Sequence, residues 1–242
     1  MKKRNRIILM VAISFVVLAA SLVGFAYDFG YLGIHFHTKP EDGQIKVACV
    51  GDSITYGHGV RGWRKNNYPA KLQELLGNSY HVLNFGHGGR TLSYNGDKPY
   101  AESKQYKLSL EYDADIVVFM LGTNDSKSKN WTDPDTFIAE YEKMINSYKE
   151  NNPDVRIIIC TPPAAFYPDG KTEGKTNFSI QPDVVEQIKT RIITFAFLNG
   201  YECIDVYDLT SAHKEWLKKD HVHLNADGAK AIAEIIYKSI TK

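Results

Sequence analysis

Only three of the 242 residues are cysteine, an odd number, and Cys49, Cys160 and Cys203 each sit inside an apolar run. That excludes a disulfide scaffold and predicts three core thiols. Net charge is nearly absent as well. The total is +1, and because Lys2, Lys3, Arg4 and Arg6 crowd the amino end, the rest holds 25 basic against 28 acidic residues. A weakly acidic body argues against nucleic acid as a partner. There is no internal repeat and no low-complexity segment, and 43% hydrophobic with 24% charged residues is globular composition. The phosphate-loop pattern, H-E-x-x-H and C-x-x-C are missing, so no metal or organic cofactor is expected. Gly57-His58-Gly59-Val60-Arg61-Gly62 has the G-x-G-x-x-G spacing, but it begins seven residues after Val50. A dinucleotide site would need it directly after the strand, so it reads as a decoy.

One long apolar run is present. Residues 7–26 contain no charge, Pro, Asn or Gln over 20 positions, enough to cross about 30 Å of hydrocarbon as a helix. A signal anchor in 1–26 is expected, with a cleaved signal peptide as the alternative because Gly24-Phe25-Ala26 offers a small-x-small site. The basic cluster on its amino side predicts a cytoplasmic start and an extracytoplasmic remainder. The chain would thus be a single-pass protein of the cell membrane, or secreted if cleaved. Residues 27–44, with Gly30, Gly33, Pro40 and Gly43, read as a linker in which His35 and His37 are solvated.

From residue 45 the pattern changes to short apolar runs alternating with amphipathic stretches. Strands are predicted over 45–50, 80–85, 116–121, 155–160 and 201–206. Helices are predicted over 68–76, 134–150, 182–198 and 225–242. Near-continuous apolar strands such as IVVFML suit a parallel sheet covered on both faces, and their alternation with helices predicts a three-layer α/β domain over 45–242.

Four segments carry chemistry. Ser53 follows the first strand in Gly51-Asp52-Ser53, where open α/β sheets place ligands; the G-x-S-x-G elbow is absent because the second glycine is missing. Asp220 and His223 lie three residues apart before the last helix, an acid and a base of the kind a serine nucleophile requires. His223 is expected as the base in preference to His221, which abuts Asp220. Gly86, Gly88 and Gly89 after the second strand permit close backbone approach, and Asn124 after the third can present N–H2 to developing negative charge. Each segment alone is also ordinary turn or cap chemistry, and Asp52 and Asp125 are expected to be turn and cap residues of that kind. His58, His81, His87 and His213 are expected at the surface or in loops, with His87 near enough to Gly89 to line a site. Trp63, Tyr94, Tyr100, Trp131, Phe166 and Tyr167 are candidates to stack on sugar rings, or to pack within their own loops.

Gly51-Asp52-Ser53, Gly89, Gly122-x-Asn124-Asp125 and Asp220-x-x-His223 together resemble the four sequence blocks of the SGNH (GDSL) hydrolase family, over essentially all of 45–242. The resemblance implies a flavodoxin-like α/β/α fold with a parallel five-stranded sheet. It also implies a serine esterase whose triad is Ser53, Asp220 and His223, with an oxyanion hole made by the backbone N–H groups of Ser53 and Gly89 and the Asn124 side chain. Gly122-Thr123-Asn124-Asp125-Ser126-Lys127 and Thr161-Pro162-Pro163 look most like carbohydrate acetylesterases of the sialate O-acetylesterase type, so a small acylated carbohydrate is the expected substrate. A lipase or lysophospholipase, an acyltransferase, and a catalytically silent glycan-binding module are the alternatives.

Overall fold

The computed structural model describes residues 3–168, 171, 176 and 178–242, with side chains from residue 11 onward. Met1 and Lys2, part of the expected 1–26 segment, lie outside the described residues.

Helix α1 spans Lys3–Asp28, two residues beyond the expected end. Its stretch Val11–Asp28 has mean hydropathy 1.9 and no residue buried, so it is long and apolar enough to cross a membrane. The chain then runs without helix or strand to β1 (Ile45–Gly51). Two short helices, α2 (Ser53–Tyr56) and α3 (Trp63–Asn66), precede α4 (Tyr68–Leu76) and β2 (Tyr80–Gly86). Helix α5 (Lys104–Glu111) leads to β3 (Ile116–Met120), and α6 (Pro134–Asn151) to β4 (Arg156–Cys160). Helix α7 (Pro182–Leu198), β5 (Glu202–Ile204), α8 (Val206–Ser211) and α9 (Ala226–Ile240) complete the chain.

The five strands form one parallel sheet in the order β2-β1-β3-β4-β5, the flavodoxin-like arrangement expected. Period-two geometry sorts the continuous apolar strands onto two faces. Ala48, Val50, Val117, Phe119, Ile157 and Ile159 pack with Tyr141, Met144, Ile145, Ile188 and Ile192 of α6 and α7. Val47, Cys49, Val118, Met120, Ile158 and Cys160 pack on the other face with Leu72 of α4 and Ile232, Ala233 and Ile236 of α9. Because both faces are covered, neither shows polar alternation. The three cysteines are free; Cys49 and Cys160 are buried as expected, and Cys203 on the edge strand is half-buried.

The first connection leaves β1 towards β2, and the next returns past β1 to β3. Strand order therefore reverses at the β1/β3 boundary, and the crevice at the carboxyl ends of these strands is where such sheets bind ligands.

Candidate active site

Ser53 begins α2 immediately beyond β1, and Asp52 fixes it there. The Asp52 carboxylate caps the helix, Oδ1 accepting from the Ile54 N–H at 2.8 Å. Gly86 closes β2 against the same helix, where a Cβ would stand 2.2 Å from the Tyr56 nitrogen. The packing thus requires glycine and pins the serine turn to the sheet.

His223 approaches from the opposite end of the chain, its Nε2 lying 2.9 Å from Ser53 Oγ. Its Nδ1 lies 3.0 Å from Asp220 Oδ2, while Asp220 Oδ1 accepts the backbone N–H groups of Val222 at 3.0 Å and His223 at 2.8 Å. Burial pushes the Asp220 carboxyl up, but the hydrogen bond and charge of the His223 ring and these N–H groups outweigh it and hold Asp220 at about 2. An ionised carboxylate can only accept. Nδ1 therefore carries the proton, and Nε2 is free to accept from the serine hydroxyl. His221 bends the turn with φ +63°, and its backbone carbonyl accepts from the Phe166 N–H at 3.0 Å.

Asn124 opens a single helical turn after β3. Its Nδ2 donates to Asp52 Oδ2 at 3.2 Å, and the residue lines the cavity described below. Gly89 holds φ +76° in the loop after β2, a conformation that glycine adopts without strain. Asp125 joins these loops, its two carboxylate oxygens accepting the Leu92 and Ser93 N–H groups at 2.9 and 2.8 Å. Burial raises Asp125 to about 7 against those two N–H groups, and raises neighbouring Asp52 as well. Asp52 is thus the helix cap expected, whereas Asp125 reaches across to another loop instead of capping its own turn.

Ser53, Gly89, Asn124 and His223 line one cavity of about 410 Å³, with Asp220 behind His223. Several residues of that cavity differ from expectation. The 27–44 segment does not stand off as a solvated linker: its first half is a strap over the site. Gly30, Tyr31, Gly33 and His35 line the cavity. The Phe29 carbonyl accepts from the Gly59 N–H at 2.7 Å and the Ile34 carbonyl from Tyr56 Oη at 3.1 Å. His37 Nε2 meets the Asn84 carbonyl at 3.1 Å, and Thr38 Oγ1 meets His81 Nε2 at 2.8 Å. His58 stands in the turn after α2, a loop position as expected, but half-buried, its ring edge-on to Tyr31 at 4.8 Å and tilted against His223 at 4.9 Å. His81 alone of that expected surface or loop group is buried, inside β2, and His213 is half-buried in its loop and stacked on Trp216. Burial, with neighbouring positive charge, lowers His35, His58 and His87 each to about 4.

The aromatic residues singled out for sugar stacking are also displaced. Trp63 and Tyr100 are buried, Trp131 packs on Phe137, and Tyr94 and Phe166 carry the ammonium groups of Lys143 and Lys214. Tyr167 Oη donates to Asp183 at 2.7 Å. Among the described residues the Tyr and Phe rings that line the cavity are Tyr31, Tyr56 and Phe178, brought there from three separate segments by packing, with no local motif to announce them. Among the described residues no group of three or more His, Cys, Asp or Glu is placed to hold a metal.

Residues 49–231 match the GDSL-like lipase/acylhydrolase family. An acetylxylan esterase from Xylanibacter ruminicola is 34% identical over 225 residues, covering 83% of this chain. The chain spans only 44% of that relative's length. Among solved structures, a carbohydrate acetylesterase from Sinorhizobium meliloti superposes with TM-score 0.65 at 18% identity, over 82% of this chain and 99% of that one. A lipase/acylhydrolase from Enterococcus faecalis does so with TM-score 0.63 at 21% identity, over 81% and 95%. With a family match over most of its length and the same sheet as these structures, the chain belongs to the GDSL-like lipase/acylhydrolase family.

Proposed function

We propose that this chain is a serine ester hydrolase that removes short acyl groups, acetyl foremost, from a carbohydrate. The observation that carries the reading is the continuous hydrogen-bonded path Ser53 Oγ–His223–Asp220, 2.9 and 3.0 Å per link, at the edge of an open cavity. His223 Nε2 takes the Ser53 proton as Oγ attacks the ester carbonyl, and Asp220 stabilises the imidazolium that forms. Charge on the tetrahedral oxygen falls to the Ser53 and Gly89 N–H groups and Asn124 Nδ2. The same histidine protonates the departing alcohol, then activates a water that cleaves the acyl-serine. The names of the acetylxylan esterase and carbohydrate acetylesterase relatives support acetyl on sugar as the substrate class. Helix α1 would tether the hydrolase domain to the membrane, and Lys3, Arg4 and Arg6 before its apolar run favour a cytoplasmic amino end and an extracytoplasmic site.

Acyl length tests the substrate class. A pocket for long chains gains about 0.8 kcal/mol per buried CH2, so a lipase's kcat/KM climbs from acetate to octanoate. The detergent-solubilised full chain should instead prefer p-nitrophenyl acetate, and Ser53→Ala should lose both turnover and fluorophosphonate labelling while keeping its fold. A rising profile overturns the carbohydrate reading, and labelling that survives in Ser53→Ala overturns the nucleophile.

A further inference from the structure

One side of the cavity is cationic, and neither of its ammonium groups has a direct counter-ion among the described residues. Lys98, from the loop after β2, and Lys127, from the turn after β3, both line it. The Lys98 stem lies against the oxyanion-loop glycine, its Cδ 3.9 Å from where a Gly89 Cβ would be. Neither ammonium makes a hydrogen bond or ion pair among the described residues. Asp97, the carboxylate that acts most strongly on Lys127, is already engaged by Lys129 Nζ at 2.6 Å and Asn130 Nδ2 at 2.9 Å. Asp52 lies beneath the cavity and is held by Ile54 and Asn124. Arg90, behind the same wall, reaches only the Pro99 carbonyl at 3.3 Å and the His87 ring at 3.5 Å, and its buried Nε has no partner among the described residues. No Asp or Glu is among the described residues lining the cavity.

The half-buried Lys127 ammonium has lost hydration and holds no direct hydrogen bond; burial lowers it, and the charges of Asp97 and Asp52 offset that loss only in part. The histidines do not supply this charge. With His35, His58 and His87 near 4 they are neutral around pH 7, each held down in part by neighbouring cationic or imidazole groups. What the wall lacks is an anion. An anionic oxygen placed there would take charge-assisted hydrogen bonds, which are about twice as strong as neutral ones.

We propose that the cavity selects acylated sugars bearing an acidic group, with Lys98 and Lys127 receiving the anion while Ser53 attacks the ester. The proposal rests on the esterase reading of Ser53 and names the substrate class within it. Carboxylate and phosphate share the recognising chemistry, and two matched pairs of probes separate them: an O-acetylated methyl glucuronoside against its carboxamide, and O-acetylated glucose 6-phosphate against O-acetylated glucose.

The detergent-solubilised full chain should turn over the charged member of at least one pair with kcat/KM about tenfold above its neutral partner, the size expected of a hydrogen bond to a charged group. The pair that shows the preference identifies the anion. Lys127→Met and, separately, Lys98→Met should each bring that ratio towards one, as should added salt. Equal turnover within both pairs in the unmutated chain overturns the proposal, as does a preference that neither lysine variant changes. So does turnover of p-nitrophenyl acetate with none of the four sugars. If p-nitrophenyl acetate is inert as well, the esterase reading itself fails.

Discussion

Asp220 uses one carboxylate for two tasks: Oδ1 shapes its turn through two backbone N–H groups, and Oδ2 fixes the His223 tautomer. In Asp220→Asn an amide can turn its N–H2 towards the ring and select the wrong tautomer. The expected loss in kcat is about 10⁴-fold, with the fold retained, as when the orienting carboxylate of a serine–histidine pair becomes an amide. The linkage has a definite sign. A carboxyl near 2 when folded and near 3.8 when unfolded contributes stability above the unfolded value, lost as pH falls through 2. Asp220 therefore stays ionised around neutral pH. Asn124→Ala removes a donor that matters once charge develops, so kcat should fall about 10²–10³-fold with KM little changed. An unchanged kcat would return Asn124 to its bond with Asp52. His221→Gly, which keeps the positive φ, should leave the rate as it is, and a collapse there would mean that His221 is the base.

At the scale of elements, two junctions hold the site. The first is β2 against α2. Gly86→Ala places a methyl 2.2 Å from the Tyr56 backbone nitrogen, which no side-chain rotation can relieve. The expected cost is about 1–3 kcal/mol or more, with a shift of the serine turn and a falling kcat; an unperturbed melting temperature would refute this. The second is the strap. Tyr31 packs on His58, its hydroxyl accepts from Lys218 Nζ at 3.2 Å, and the same ammonium donates to the Gly59 carbonyl at 2.8 Å. Tyr31→Ala should raise KM and lower kcat/KM by about an order of magnitude, the cost of losing one aromatic packing contact and one hydrogen bond. Tyr31→Phe should recover most of it. Unaltered kinetics in both would reduce the strap to a passive tether.

Over the whole molecule, the histidines set the response to acid. His35, His58 and His87 titrate near 4 in the folded chain and near 6.5 when unfolded, so between those values the unfolded state binds more protons. Stability from these groups therefore falls as pH drops from 6.5 to 4. Asp125 acts in the opposite sense, its folded value near 7 against 3.8 unfolded, so its contribution weakens as pH rises through that window. Asp52, also raised by burial, acts with Asp125, and His81, also lowered by burial, acts with the other three rings; the four histidines outweigh the two carboxylates, and the melting temperature should decline from pH 7 to pH 4.5. A flat or rising profile would mean that these rings remain solvated.

The sequence alone determined the sheet, because strands such as Ile116–Met120 are apolar at every position and only a two-sided parallel sheet buries them all. It also determined Ser53, Gly89, Asn124, Asp220 and His223 as candidates, since each stands in a short block at a strand end or a helix start where local chemistry is restricted. Helix α5 was illegible. Its fully buried positions are Gln105 and Ser109, i and i+4 but polar, with the Ser109 hydroxyl paired to Tyr148 Oη at 2.7 Å, while Tyr106, Leu108 and Leu110 pack on the core only half-buried, so polar residues interrupt the hydrophobic period over a helix of eight residues. Tertiary structure decided whatever depends on distance across the fold. It brought His223 to Ser53 over 170 residues of sequence, laid the strap of Tyr31 and His35 over the cavity, and set Lys98 and Lys127 on its wall. Local pattern records which backbone conformations a segment prefers, but a contact between distant segments exists only once the sheet has fixed where their ends lie.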